Sequence, residues 1–303
     1  MSFPSIPSEV IEYIRATFAK ANDKVSKTLS LHPSMYEETL DHTLVTELAA
    51  SPPTFFSTQQ IGLEIQTHWL GGRHMYGRWE IADIGLFVII RVQGKLHAKK
   101  VALLQAKRLF SREIPVSELF HEDYRIGIGR IIDKDDPIVP ISQQRNFQFD
   151  ENCVFGAMSS GSEQSKRIEK YRSEKGIPIY YNFYCPTNIP FQNSYPAMPN
   201  EVDGLNNDYG VRVSNSEVIH SSLNLLPTGK TPSLAELTQK GKSKLGTRLE
   251  DFVCDELLVC KAGRLFEKNA DADLNSLLYA RSNPITAAIS ICIDFAQKPE
   301  LVE

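Results

Sequence analysis

The chain has 303 residues, of which 42% are hydrophobic and 23% charged. That mix suits one large or two small globular domains and excludes a mainly disordered chain, a collagen and a coiled coil. Lysine and arginine number 33 against 37 acids, a net charge of −4; this argues against nucleic-acid binding through overall charge and leaves room for a local basic patch.

The apolar runs Ile84–Ile90 and Ile285–Ile293 are much shorter than the roughly 20 residues of a membrane-spanning helix. The N-terminal MSFPSIPSEVIEYIR has neither a basic region nor the apolar core of a signal peptide. A cytoplasmic protein without a membrane partner is expected. Cys153, Cys185, Cys254, Cys260 and Cys292 are odd in number and widely spaced, with no C-x-x-C. They read as free thiols in a reducing compartment.

Residues 8–29 read as an amphipathic helix, with Val10, Ile11, Ile14 and Phe18 at helical spacing. Pro33 closes that region. A second helix is expected from Ser34 as N-cap, with Glu37 three residues on as a capping box. Leu40, Leu44 and Leu48 form its apolar stripe, and Ser51-Pro52-Pro53 ends it. Residues 61–69 read as a strand and Gly71-Gly72 as a loop. Ile84–Val92 is the most β-like segment; Gln93-Gly94-Lys95 is a turn, and Val101–Ala106 a second apolar run. Together they predict a β-hairpin with buried strands. Residues 111–150 carry no clear pattern. Glu163–Lys175 reads as a charged helix carrying Ile168 and Tyr171, and Ile177–Tyr184 as a strand. Residues 186–210, rich in Pro and Asn, read as a long loop. Leu249–Cys260 and residues 285–296 read as helices. The fold class is α/β.

The hairpin concentrates chemistry. Asp83 immediately precedes its first strand, and the second ends in Leu104-Gln105-Ala106-Lys107. Strand side chains alternate, so Gln105 and Lys107 share a side. The hairpin returns that side to Asp83. A carboxylate from the upstream helix, Glu37 or Glu38, can complete the cluster.

Asp83 followed by Gln105-Ala106-Lys107 resembles the signature of the PD-(D/E)xK restriction-endonuclease-like superfamily. That signature is a helical Glu, an Asp at a strand start and a (D/E/Q)-x-K on the next strand. The helical Glu would come from Tyr36-Glu37-Glu38-Thr39-Leu40, where the spacing to Leu40 favours Glu37. Ala-Asp-Ile-Gly and Leu-Gln-Ala-Lys-Arg also look like strings in prokaryotic anti-phage defence nucleases. The resemblance covers about residues 36–110 and extends towards 185. It departs from the common pattern at Ala82, where Pro is usual, and at Gln105, where an acid is usual.

The resemblance implies a mixed central sheet flanked by helices and a Mg²⁺- or Mn²⁺-dependent endonuclease acting on phosphodiester bonds, DNA before RNA, in anti-phage defence. Asp83, Gln105, the Ala106 carbonyl and Glu37 would hold the metal, whose preference is for oxygen ligands. Lys107 would orient the attacking water or stabilise developing charge. A homo-oligomer or a defence-system partner protein is a further implied partner. The alternative is a nucleic-acid-binding or effector-assembly module with a decayed site, which Gln105 and the acidic net charge favour. The stretch 95–112 contains Lys95, Lys99, Lys100, Lys107, Arg108 and Arg112 and no acid. Lys95, Lys99, Lys100, Arg108 and Arg112 are therefore the candidate phosphate contacts. Gln164 and Arg167 lie on a helix face that could add to them.

The expected division is an N-terminal helical segment at 1–35, a nuclease core at 36–200 and a mostly helical C-terminal extension at 201–303. Other motifs are incomplete. Gly229-Lys230-Thr231 and Gly241-Lys242-Ser243 lack the first glycine of a P-loop, with Asn224 and Glu236 in its place. Ala157-Met158-Ser159-Ser160-Gly161, with Asp208 and His220 downstream, only approximates a nucleophile elbow. Trp69 and Trp79 read as packing residues and His42 as a helix-surface histidine.

Overall fold

A computed structural model describes residues 3–70, 81–114, 145–195, 209–239, 241, 244–266 and 285–296. Gly71-Gly72, Trp79, Lys242, Ser243, Asp208 and most of the unpatterned 111–150 segment lie outside those residues. Helix α1 (Ser8–Leu31) buries Val10, Ile14, Phe18, Ala21, Val25 and Leu29 at three- and four-residue spacing, the stripe that makes a helix adhere to a core. It packs against α2 (Glu37–Ala49). Leu40, Leu44 and Leu48 of α2 are fully buried, each contributing about 1.5–3 kcal/mol. The helix starts later than expected. Ser34 lies in a turn closed by Met35 N–H to His32 O, and the N-cap is Tyr36, whose side chain makes no capping hydrogen bond.

The main sheet runs in the order β1 (Thr54–Phe56), β2 (Ile61–Trp69), β13 (Ala287–Phe295), β3 (Ile84–Val92), β4 (Lys95–Phe110), β8 (Ile179–Tyr184), β10 (Arg212–Asn215), β11 (Thr247–Arg248). Strand β7 (Val154–Phe155) pairs with the C-terminal end of β4 and β12 (Arg264–Phe266) with its residues Lys99, Lys100 and Val101. The sheet is open and mixed: β13 is parallel to β3 and β8 to β4, and the other neighbours are antiparallel. Strands β5 (Arg112–Ile114), β6 (Arg145–Phe149) and β9 (Phe191–Tyr195) form a second, three-stranded sheet. Strand β9 falls within the expected 186–210 loop. Among the described residues there are also helices α3 (Glu163–Lys175), α4 (Ser216–Leu223), α5 (Leu234–Leu237) and α6 (Leu249–Asp251), the last continuing as a π-helical turn, Phe252–Leu257. In α3, Ile168 and Tyr171 are the buried pair.

The β3–β4 hairpin forms as expected. Gln93 and Gly94 both have positive φ, 53° and 72°, as a two-residue type I′ loop requires. A register shift between Ile90 and Arg91 adjusts the pairing. Strand β4 is longer than its apolar run, at 16 residues.

Residues 285–296, expected as a helix, instead form β13. Every residue from Ala287 to Ile293 is buried. A strand covered on both faces carries no alternation, so its sequence cannot be told from a buried helix by period alone. The described part of 201–303 is accordingly mixed, with strands β10–β13 beside short helices. Segments 1–35, 36–200 and 201–303 all contribute to one hydrophobic core. All five cysteines are free. Among the described residues no helix is long and apolar enough to cross a membrane.

Candidate active site

Asp83 is held by both of its neighbouring strands. Its N–H donates to Leu104 O (2.8 Å), and its carbonyl accepts from Thr286 N (3.0 Å), Ala287 N (2.9 Å) and Thr286 Oγ1 (2.8 Å). Its carboxylate faces the end of β4, where Oδ2 accepts from Gln105 Nε2 and from Ala106 N, both at 2.6 Å. Hairpin register and alternation thus bring Asp83, Gln105 and Lys107 to one end of the sheet. The C-terminal strand, unforeseen as a strand, fixes the Asp83 backbone from the other side.

Helix α2 covers this end. Lys107 has a side chain only 3% exposed, and its Nζ lies 3.4 Å from Glu37 Oε2. That is longer than the 2.7–2.9 Å of a tight charged hydrogen bond. Burial raises the Glu37 carboxyl pKa, and Lys107 and then Arg108 oppose the rise. Glu38, the other helical candidate, is exposed at the rim.

One turn after Glu37 stands Asp41, which is buried. Burial drives its pKa well above the usual value and the negative charge of Asp83 adds to that; Tyr184, whose hydroxyl donates to Asp41, and Lys107 oppose the rise. Sequence reasoning missed Asp41, although a signal existed. Asp41, Leu44 and Leu48 are spaced i, i+3, i+7, so this acid lies on a core-facing stripe. Tyr184 and Thr286 carried no local signal, because they arrive from β8 and from the residue before β13.

Asp83, Gln105, Lys107, Glu37, Glu38 and Asp41 line a cleft of about 510 Å³ whose wall also includes Tyr36, Arg108, Phe110 and Gln164. Gln105 is 1% exposed and its Oε1 has no hydrogen-bond partner. An orphaned buried acceptor is costly unless a donor or cation meets it. Oxygen donors from Asp83, Gln105 and the Ala106 main chain suit a hard divalent cation that keeps several waters. The fit is to such a sparse set only. Among the described residues no group of three or more His, Cys, Asp or Glu is arranged to hold a metal.

The candidate phosphate contacts disperse. Lys95 is exposed at the hairpin turn, about 40 Å along the strand from Lys107 at ~3.3 Å per residue. Lys99 and Lys100 are buried, and Lys100 Nζ donates to Leu257 O (2.7 Å) beneath the Phe3 ring. Arg108 is buried, donates to Pro33 O (2.6 Å) and stacks on Phe110 at 3.7 Å. Arg112 is paired with Asp150. Gln164 lines the cleft; Arg167 does not. His42 contacts the half-exposed Trp69 edge-on.

In the approximate nucleophile elbow the Ser159 carbonyl accepts from Ser162 N and Ser160 Oγ donates to Leu226 O, while His220 sits between the Tyr181 hydroxyl and Glu169. Comparison of the chain with family models, curated proteins and solved structures finds no match in any of the three.

Proposed function

We propose that this protein is a divalent-metal-dependent endonuclease of restriction-endonuclease-like type that hydrolyses phosphodiester bonds of nucleic acid, DNA in preference to RNA, in the cytoplasm as part of anti-phage defence. The observation that carries the reading is the convergence in one cleft of Asp83, Gln105, Lys107 and Glu37 from three separate elements. The mixed sheet with helix α2 over the acidic end of the hairpin supports the fold type, and five unpaired cysteines suit a reducing compartment.

Asp83, Gln105 Oε1 and the Ala106 carbonyl hold the cation, with Glu37 as auxiliary ligand. When bound, Mg²⁺ or Mn²⁺ polarises the scissile phosphate and makes a coordinated water more acidic. Lys107, fixed on a rigid strand with its ammonium at the cleft wall, stabilises negative charge developing on the phosphate or orients the attacking water. Glu37, 3.4 Å from its Nζ, aims that lysine. Asp41 adds a buried carboxylate behind Asp83 and so enforces a site that favours positive charge.

The test is nicking of supercoiled plasmid by the purified chain with Mg²⁺ or Mn²⁺, beside Asp83→Ala and Lys107→Ala. Both substitutions should reduce nicking at least about 100-fold. Equal activity in all three proteins would assign the cleavage elsewhere. A second reading is favoured by one contact, the Gln105 amide donating to Asp83, which satisfies the carboxylate without a cation. On that reading the cleft belongs to a nucleic-acid-binding module with a decayed site, and salt-sensitive binding without nicking is expected.

A further inference from the structure

The wall of the cleft beside the acids carries a residue that the fold does not need. Tyr36 is 78% exposed and occupies the N-cap of α2, where Ser, Thr, Asp or Asn would satisfy a helix N–H. Its side chain makes no such bond. Choosing Tyr over a capping residue weakens the start of the helix, and the exposed ring recovers little of that loss. A local rule broken at the mouth of a candidate site points to function. Arg108 and Phe110 line the same cleft, the guanidinium 3.7 Å from the ring centroid. Arg108 is held there by Pro33 O. An exposed phenol ring and a fixed guanidinium–aromatic pair are the surfaces on which unpaired bases stack.

Charge points the same way. Three cations of β4 are spent inside the protein, Lys100 on Leu257 O, Lys107 on Glu37 and Arg108 on Pro33 O, and the exposed Arg112 that follows the strand is paired with Asp150. A closed duplex is gripped chiefly through rows of phosphate contacts. A cleft of about 510 Å³ has the size of a small-ligand site, so a duplex could only lie across its rim.

We propose that the cleft takes an unpaired nucleotide, its base stacked on Tyr36 beside the Arg108–Phe110 pair and its phosphate next to Lys107. This rests on the nuclease reading and names its substrate class. The unpaired nucleotide comes from a free single strand or from the unpaired end of a duplex, and stacking supplies the affinity that the inward-turned cations do not.

The experiment measures binding of the full chain by fluorescence anisotropy, with Ca²⁺ replacing Mg²⁺ so that the probes stay intact. The probes are a single-stranded oligonucleotide containing 2-aminopurine, a blunt hairpin duplex of the same sequence, and that duplex with a single-stranded overhang. The single strand, the overhang or both should bind at least tenfold more tightly than the blunt hairpin, and which of them does identifies the source. Tyr36→Ala should weaken that binding about tenfold and abolish quenching of 2-aminopurine, while Tyr36→Phe retains both. Equal affinity for the blunt hairpin, or an unchanged Tyr36→Ala, overturns the inference. If plasmid nicking still depends on Asp83 in that case, only the substrate class has failed. If no probe binds and no plasmid is nicked, the nuclease reading has failed as well.

Discussion

Strand β4 buries Lys100 in its first half and Lys107 in its second, with equally little exposure. Their surroundings differ. Lys100 meets no carboxylate: its partners are the Leu257 carbonyl at 2.7 Å, the Phe3 ring at 4.9 Å and the Cys260 side chain. Its stem packs under Gly263, where an added Cβ would lie 3.1 Å from Lys100 Cγ and Cδ. Burial pushes its pKa down. Lys107 meets Glu37, with Asp41 and Asp83 behind it, and opens onto a cleft. Burial alone therefore does not mark a functional lysine. One ties the π-helical turn to the sheet, and the other offsets a cluster of acids that would otherwise repel each other.

The sharpest separation of the two lysines is by activity. Lys107→Met keeps the stem and removes the charge, and plasmid nicking should fall at least about 100-fold, the loss that follows removal of one charge-stabilising donor. Lys100→Met should nick like wild type. If Lys100→Met lost activity equally, the two lysines would act as one electrostatic unit and the comparison would collapse.

Stability should divide them in the other direction. Lys100→Ala deletes a packed stem and leaves the Leu257 carbonyl unpaired, a loss of about 2–4 kcal/mol in urea denaturation. Lys100→Met should lose less than Lys100→Ala, about 1–2 kcal/mol, because it also leaves the Leu257 carbonyl unpaired but keeps the stem and relieves a buried charge.

The acidic end should instead be strained at neutral pH. The Asp41 pKa is higher folded than unfolded, so the native state binds the proton more readily. Its stabilising contribution is complete below the ordinary value near 3.8 and is lost as pH rises through the folded value. Asp41→Asn, which can still accept from Tyr184, should therefore be more stable than wild type at pH 7 by about 1 kcal/mol. In metal-free urea titrations that gain should shrink towards pH 4. A loss of stability at pH 7 would mean that Asp41 is needed ionised to balance Lys107.

This contrast also shows what the sequence could carry. Asp83, Gln105 and Lys107 were legible because a two-residue turn and strand alternation determine which residues meet, and both are local properties. Asp41 was not, since nothing local separates a buried helical acid from a solvated one. Strand β13 was misread as a helix because a run covered on both faces has no period to report. The basic run 95–112 was read as one surface, but neighbouring strand residues point to opposite faces. Which of those faces meets helix, ring or solvent is decided by elements far away in the chain, such as Phe3, Pro33 and Leu257.

The smallest effect tests whether the Lys100 site is held by charge at all. Phe3→Leu keeps an apolar side chain over Lys100 and removes the ring face. If the contact at 4.9 Å is a cation–π interaction, the variant should lose about 0.5–1 kcal/mol. Packing changes alone could produce a loss of that size, so the single substitution does not decide. The double-mutant cycle with Lys100→Met does, because Met fills similar space without the charge. Coupling of about 0.5 kcal/mol or more would show that the ring stabilises the ammonium and shares with Leu257 O the work of burying it. Coupling near zero would leave the Leu257 carbonyl and the Cys260 side chain as the partners that matter. The two lysines would then differ more sharply still, with a carbonyl and a cysteine side chain around one and a field of carboxylates around the other.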